Sequence, residues 1–104
     1  MLKIFIILFI FLTSSLFTKT SDFIKMGVSA YISNDMVKAV EYFNKAIELD
    51  NNNPEILARW ALCQIDTGEY LMAFKALEEV LSKKPQFPEI TERYNWLKTV
   101  VNAK

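Results

Sequence analysis

The chain contains no histidine and a single cysteine, Cys63. Without those side chains the common zinc ligand sets, a cysteine–histidine pair and a serine–histidine–aspartate triad are all excluded. The closely spaced carboxylates, Glu41 with Glu48 and Glu78 with Glu79, lie among lysines on predicted solvated faces, and no cleft is expected around them. We therefore predict a protein that is not an enzyme, with no catalytic residues, no metal site and no cofactor.

Excess charge of either sign is also missing, because 12 Lys and Arg residues balance 12 Asp and Glu residues in a chain of 104. A protein that neutralises phosphate groups needs a basic surplus. Nucleic acid is therefore not an expected partner. The length allows one domain.

Long apolar runs occur only at the start of the chain. Lys3 supplies a positive charge, Ile4–Leu12 is nine consecutive apolar residues, and the small hydroxyl residues 13–15 follow. This layout is typical of a secretory signal peptide, and the run is shorter than the roughly 20 residues that a transmembrane helix needs. Because no Ala-x-Ala cleavage signal is present, we predict that residues 1–17 are either a signal peptide or an uncleaved membrane anchor.

Both alternatives place the remainder of the chain outside the cytoplasm, because Lys3 and the amino terminus favour the cytoplasmic side. We expect an exported protein, periplasmic or anchored in the inner membrane. Contact with the membrane is expected only through residues 1–17.

A repeat of 34 residues organises the rest of the chain. Pro54-Glu55-Ile56 recurs as Pro88-Glu89-Ile90, and the turn residues Asn34-Asp35 correspond to Gly68-Glu69. Further pairs at this offset are Arg59 with Arg93, Trp60 with Tyr94, Ala39 with Ala73, Phe43 with Leu77, Ala46 with Val80 and Ile47 with Leu81. A fixed period of this length indicates a helical repeat protein.

Each repeat predicts two amphipathic helices. The expected helices cover about 21–33 and 35–49 in the first repeat (20–53), 54 to about 68 and 69–83 in the second (54–87), and about 88–101 in a final segment (88–104). Asn53 is predicted to cap the third helix and Gly68 to end it. The last helix places Ile90, Tyr94, Leu97 and Val101 on one stripe.

Small and large side chains follow a regular order at the predicted helix contacts. The residues in this order are Gly27, Ala39, Phe43, Ala46, Ala61, Ala73, Leu77, Val80 and Pro85. They resemble the packing residues of tetratricopeptide repeat proteins, over two repeats and a C-terminal capping helix. The resemblance implies an all-α fold, a short right-handed superhelix of antiparallel helix pairs. The chain departs from the family at Ala30 and Gln64, where tyrosine is usual, and at Asn51, the counterpart of Pro85.

The resemblance also implies a concave face, built by the first helix of each pair, on which members of the family bind their ligands. The residues predicted to line it are Ile24, Val28, Tyr31, Ala58, Arg59, Leu62, Ile65 and Trp96, with Glu92 as a nearby charge. They form a mainly apolar path, without the Lys, Asn and Arg set that grips a terminal carboxylate in some members. The expected partner is another protein that offers a peptide or an amphipathic helix.

Three alternatives stay open at this level. Trp96 is either a residue of the binding face or one that packs back on the chain, and Cys63 is either a reactive thiol or a small buried apolar residue. The alternative to partner binding is a structural homo-oligomer that assembles through its exposed repeat ends, because so short an array has little surplus stability.

Overall fold

The computed structural model describes residues 19–102 and contains five α-helices. They are α1 (19–32), α2 (Met36–Leu49), α3 (Pro54–Asp66), α4 (Tyr70–Lys83) and α5 (Pro88–Asn102). No β-strand occurs among the described residues, so the predicted all-α class is confirmed. The segment predicted to be a signal peptide or anchor, residues 1–17, lies outside the described part of the chain.

Helices α2 to α5 each have 13 to 15 residues. None of the helices within residues 19–102 has the length and apolar character needed to cross a bilayer.

The turn inside each helix pair recurs with the 34-residue period. Asn34 has a φ of 63°, and Gly68, at the same repeat position, has a φ of 84°. In both turns the N–H of the next residue, Asp35 or Glu69, donates to the carbonyl oxygen five residues earlier at 2.8 Å. This is a Schellman ending, whose left-handed residue is usually glycine and sometimes asparagine. The two turns therefore share one backbone geometry.

The starts of the helices follow the signals in the sequence. The side chain of Asn53 accepts a hydrogen bond from the N–H of Glu55 at 3.0 Å, and Pro54 is the first residue of α3. Asp35 caps α2 in the same way, with the N–H of Lys38 as donor at 3.2 Å. Such side chains satisfy amides that no carbonyl inside the helix can reach. The prediction that Asn53 caps its helix is confirmed.

Helices that are neighbours in the chain pack against each other, and their buried side chains form two clusters. The first contains Ala39, Phe43 and Cys63, with half-buried residues of α1 around it. The second joins α3, α4 and α5 and contains Ala58, Ala61, Ile65, Ala73, Ala76, Leu77, Val80, Ile90 and Leu97. Trp60 of α3 packs against both clusters and connects them.

Helices α1 and α2 approach each other closely at Gly27. This residue is buried in α1, and a Cβ atom placed on it would lie 2.6 Å from the ring of Phe43 in α2. The ring is itself only 2% exposed. Backbones can come this near only where a side chain is missing.

The last helix covers one side of the second cluster. Ile90 and Leu97 are buried, and Tyr94 and Val101 are half-buried, so the predicted stripe on α5 is confirmed. Tyr94 also stacks on Phe74 of α4, with ring centroids 5.0 Å apart and planes at 8°. The remaining surface of α5 is mainly polar and charged.

Candidate functional site

A small cavity lies where α1, α2 and α3 meet. Its volume is about 50 Å³, and its walls are Val28 and Tyr31 of α1, Phe43 of α2, and Arg59 and Leu62 of α3. Four of these five residues, all except Phe43, belong to the predicted concave face. The structure thus brings together side chains from corresponding helices of two successive repeats.

The size of this cavity restricts what can enter it. Sites for small-molecule ligands usually have volumes of about 300–1,000 Å³, whereas one water molecule takes up about 30 Å³ of liquid volume. A space of about 50 Å³ therefore holds much less than a whole small-molecule ligand.

The cavity wall has two polar side chains, Arg59 and Tyr31, and the polar group of Tyr31 is its phenol. Burial raises the pKa of Tyr31, and the neighbouring carboxylate of Asp66 raises it further, while the positive charge of Arg93 acts in the opposite direction. At neutral pH the phenol keeps its proton and is able to donate a hydrogen bond. Because Arg93 belongs to α5, the polar groups of α1, α3 and α5 converge on one side of the molecule.

The other predicted residues of α1 and α5 lie outside this cavity. Ile24 is half-buried one turn before Val28, beside a surface depression that runs along α1. Trp96 is 46% exposed and makes an edge-to-face contact with Tyr70, with ring centroids 5.7 Å apart. Its aromatic contact is thus with α4 and not with α3. Glu92 is exposed on α5.

Two predicted residues of α3 lie in the core instead of on an open face. Ala58 is 2% exposed and Ile65 is 8% exposed, and both belong to the cluster shared with α4 and α5. Together with Ala61 they occupy positions i, i+3 and i+7 of one helix face. That face packs on the following helices, whereas Arg59 and Leu62 lie on the side toward α1.

The thiol of Cys63 is fully buried beside Ala39 and Phe43. Burial raises its pKa to about 11, and the nearby charge of Asp66 raises it as well. A reactive cysteine needs an exposed thiolate at neutral pH. The structure therefore favours the interpretation of Cys63 as a small packing residue.

Two residues at or beside the cavity, Phe43 and Asp66, were not predicted from the sequence to lie there. The sequence assigns Phe43 to helix packing alone. A sequence pattern can predict that an aromatic residue is buried, but it cannot predict that the residue also borders a cavity. Asp66 was overlooked although a signal exists, because it follows Arg59 by seven residues and so lies on the same side of α3.

Within residues 19–102 there is no group of three or more His, Cys, Asp or Glu side chains placed to hold a metal ion. In comparisons with known proteins, no protein-family model matches the chain. No curated protein matches its sequence.

Proposed function

We propose that this chain is a tetratricopeptide-like repeat domain that binds a segment of another protein and catalyses no reaction. Residues 20–53 and 54–87 form its two repeats, and residues 88–104 form the capping helix of a short right-handed superhelix. Residues 1–17 direct the domain out of the cytoplasm, to the periplasm or to the outer side of the inner membrane.

The recurrence of backbone hydrogen bonds supports the repeat. Besides the two equivalent turns, the ends of α2 and α4 correspond, since the N–H of Asp50 donates to Ala46 at 3.0 Å and that of Lys84 to Val80 at 2.8 Å. These donors are 34 residues apart, as are the acceptors. A shared geometry at a fixed period is what two copies of one structural unit require.

The observation that carries the binding function is the cavity between the repeats. Its walls are largely apolar, its volume is about 50 Å³, and its lining comes from the first helices of two successive pairs through Val28, Tyr31 and Leu62. Grooves of this kind bind a peptide or helix through a few inserted side chains. The backbone around the cavity is helical, so little ordering is needed on binding.

The binding function is tested by capture of a partner from intact cells. Full-length protein with a C-terminal tag is crosslinked before lysis, and the recovered proteins are quantified by mass spectrometry for wild type, Tyr31→Ala and Leu62→Ala. Leu71→Ala is the matched control, because Leu71 is apolar, 54% exposed and on α4, away from the cavity. We expect one partner to be recovered with wild type and the control, and to fall about tenfold or more with the two cavity variants.

Thermal unfolding followed by circular dichroism separates lost binding from lost structure. Both cavity variants are required to unfold cooperatively and to be folded at the temperature of the capture. Equal recovery of every protein with all four forms of the chain would contradict the proposal.

Export is tested with a reporter enzyme fused after residue 104 that becomes active only outside the cytoplasm. We expect an active fusion, and an inactive one would contradict export. The intact mass of the mature protein then distinguishes a cleaved signal peptide from a retained anchor.

A second candidate function, assembly of identical chains, is favoured by the exposed apolar side chains. Ile32 is 77% exposed and Val37 is 78% exposed near the turn between α1 and α2, and Trp96 is 46% exposed at the other end. Apolar residues in such positions are common in interfaces. Light scattering is the test: a monomer at high micromolar concentration would contradict this candidate.

A further inference from the structure

A cation occupies the same repeat position on three helices. Lys25 of α1, Arg59 of α3 and Arg93 of α5 follow one another at intervals of 34 residues, and all three are exposed. Within the described residues none of them takes part in a salt bridge, and Glu55, one turn before Arg59, is paired at 2.8 Å with Lys84 instead. These three side chains, the cationic row, therefore present positive charge that no neighbouring carboxylate neutralises by direct contact.

An apolar residue follows each member of the cationic row three positions later. These residues, the apolar row, are Val28, Leu62 and Trp96. Residues three apart lie on the same side of a helix. The structure joins the two rows directly, because Val28, Arg59 and Leu62 line the same cavity and Lys25 and Val28 border the same depression on α1.

The carboxylates near the cationic row do not pair with it. Glu55 contacts Lys84, Asp66 lies beside Tyr31, and Glu92 is exposed on α5. Within the described residues none of these carboxylates forms a salt bridge with a member of the row. A ligand that brings carboxylates to the cationic row would supply its cations with partners.

We propose that the partner segment carries acidic side chains along one side and apolar side chains along the other. Its carboxylates lie on the cationic row, where Arg59 and Arg93 form paired hydrogen bonds with them, and its apolar side chains lie on the apolar row, one of them inside the cavity. This inference rests on the proposed binding function and adds the chemistry of the partner.

A protein segment fits this surface better than a phosphate-bearing one. Anionic lipid headgroups or nucleic acid would contact the cationic row but would leave Leu62 and Val28 uncovered. A chain with acidic and apolar residues satisfies both rows at once.

The test is selection of peptides from a random phage-displayed library on immobilised full-length protein. Wild type is compared with the double variant Arg59→Glu/Arg93→Glu and with Lys75→Glu, an exposed control on α4 that lies outside the cavity lining. We expect wild type and the control to enrich peptides with Asp or Glu beside an apolar residue. A selected peptide should bind the double variant about tenfold more weakly, and its affinity for wild type should fall as salt is added.

The outcomes separate this inference from the binding function on which it rests. Selected peptides that show no acidic enrichment but bind Leu62→Ala less tightly would overturn the inference and support the proposed binding function. Failure to select any peptide that depends on Leu62 would overturn both. Binding to vesicles of phosphatidylglycerol and phosphatidylcholine that the double variant abolishes, with no acidic peptides selected, would assign the row to a lipid surface and overturn the inference.

Discussion

At the scale of single residues, the smallest side chains set the distances between helices. Gly27, Ala39 and Ala61 are all buried at helix contacts, and the ring of Phe43 fills the space beside Gly27. An added methyl group at Gly27 would force the ring to shift. The sequence predicts these positions well, because small residues recur at fixed positions of the repeat. It does not reveal at which of them a larger side chain would be most destabilising.

Gly27→Ala should destabilise the domain. The new Cβ would lie 2.6 Å from the Phe43 ring, and overpacking of this kind costs about 1–3 kcal/mol. The better helix propensity of alanine returns only about 1 kcal/mol, so the net loss is at most about 2 kcal/mol. Urea unfolding measures it, with Ser29→Ala on the exposed side of α1 as the control. An alanine variant at residue 27 as stable as the control would refute the contact.

Cys63 should make stability depend on alkaline pH. Burial raises the pKa of the thiol from 9.0 to about 11. The ionised thiolate is therefore disfavoured in the folded state, and the stability that results is complete below about pH 9 and is lost as pH rises toward 11. Across this window the wild-type free energy of unfolding should fall faster than that of Cys63→Ala, by at most about 1.4 kcal/mol per pH unit. Parallel pH curves for the two proteins would argue against a buried thiol.

At the scale of the elements, short-range signals determine where the helices begin and end. Asn53, Pro54 and Gly68 each have a local mechanism, and the helix bounds from the sequence differ from the structure by a few residues at most. The faces of the helices were harder to predict. Ala58 and Ile65 lie on the core side of α3 because α4 and α5 cover that side. The periodicity of a helix shows which residues share a face, but it does not show which neighbouring helix covers that face.

Loss of the cap at Asn53 should destabilise the start of α3. Its side chain accepts from the N–H of Glu55 and donates to Asp50. Asn53→Ala removes both bonds, and a lost cap costs about 1 kcal/mol. Thermal unfolding measures the change, and Asn51→Ala, an exposed residue between the helices, is the control. Equal midpoints for the two variants would mean that the cap contributes nothing.

At the scale of the whole molecule, helices that follow one another in the chain pack against each other, and stability depends on these contacts between neighbours. α2 packs on α3, α3 on α4 and α4 on α5. The two hydrophobic clusters meet at Trp60, so neither pair has a core of its own. The 34-residue period predicts this organisation. The cavity between α1, α2 and α3, and the charge that α5 adds beside it, depend instead on how side chains of these helices approach one another, which no local pattern contains.

A chain that ends after residue 87 should therefore fail to fold. α5 supplies Ile90 and Leu97, which are 1% and 0% exposed, and it covers Leu77 and Val80 of the second cluster. Each large side chain that loses its burial costs about 1.5–3 kcal/mol, and a small domain has only about 5 kcal/mol or slightly more to lose. Circular dichroism should show low helicity and no cooperative transition for the truncated chain. A sharp transition within a few degrees of wild type would mean that α5 is an appendage and that α1 to α4 form a complete core.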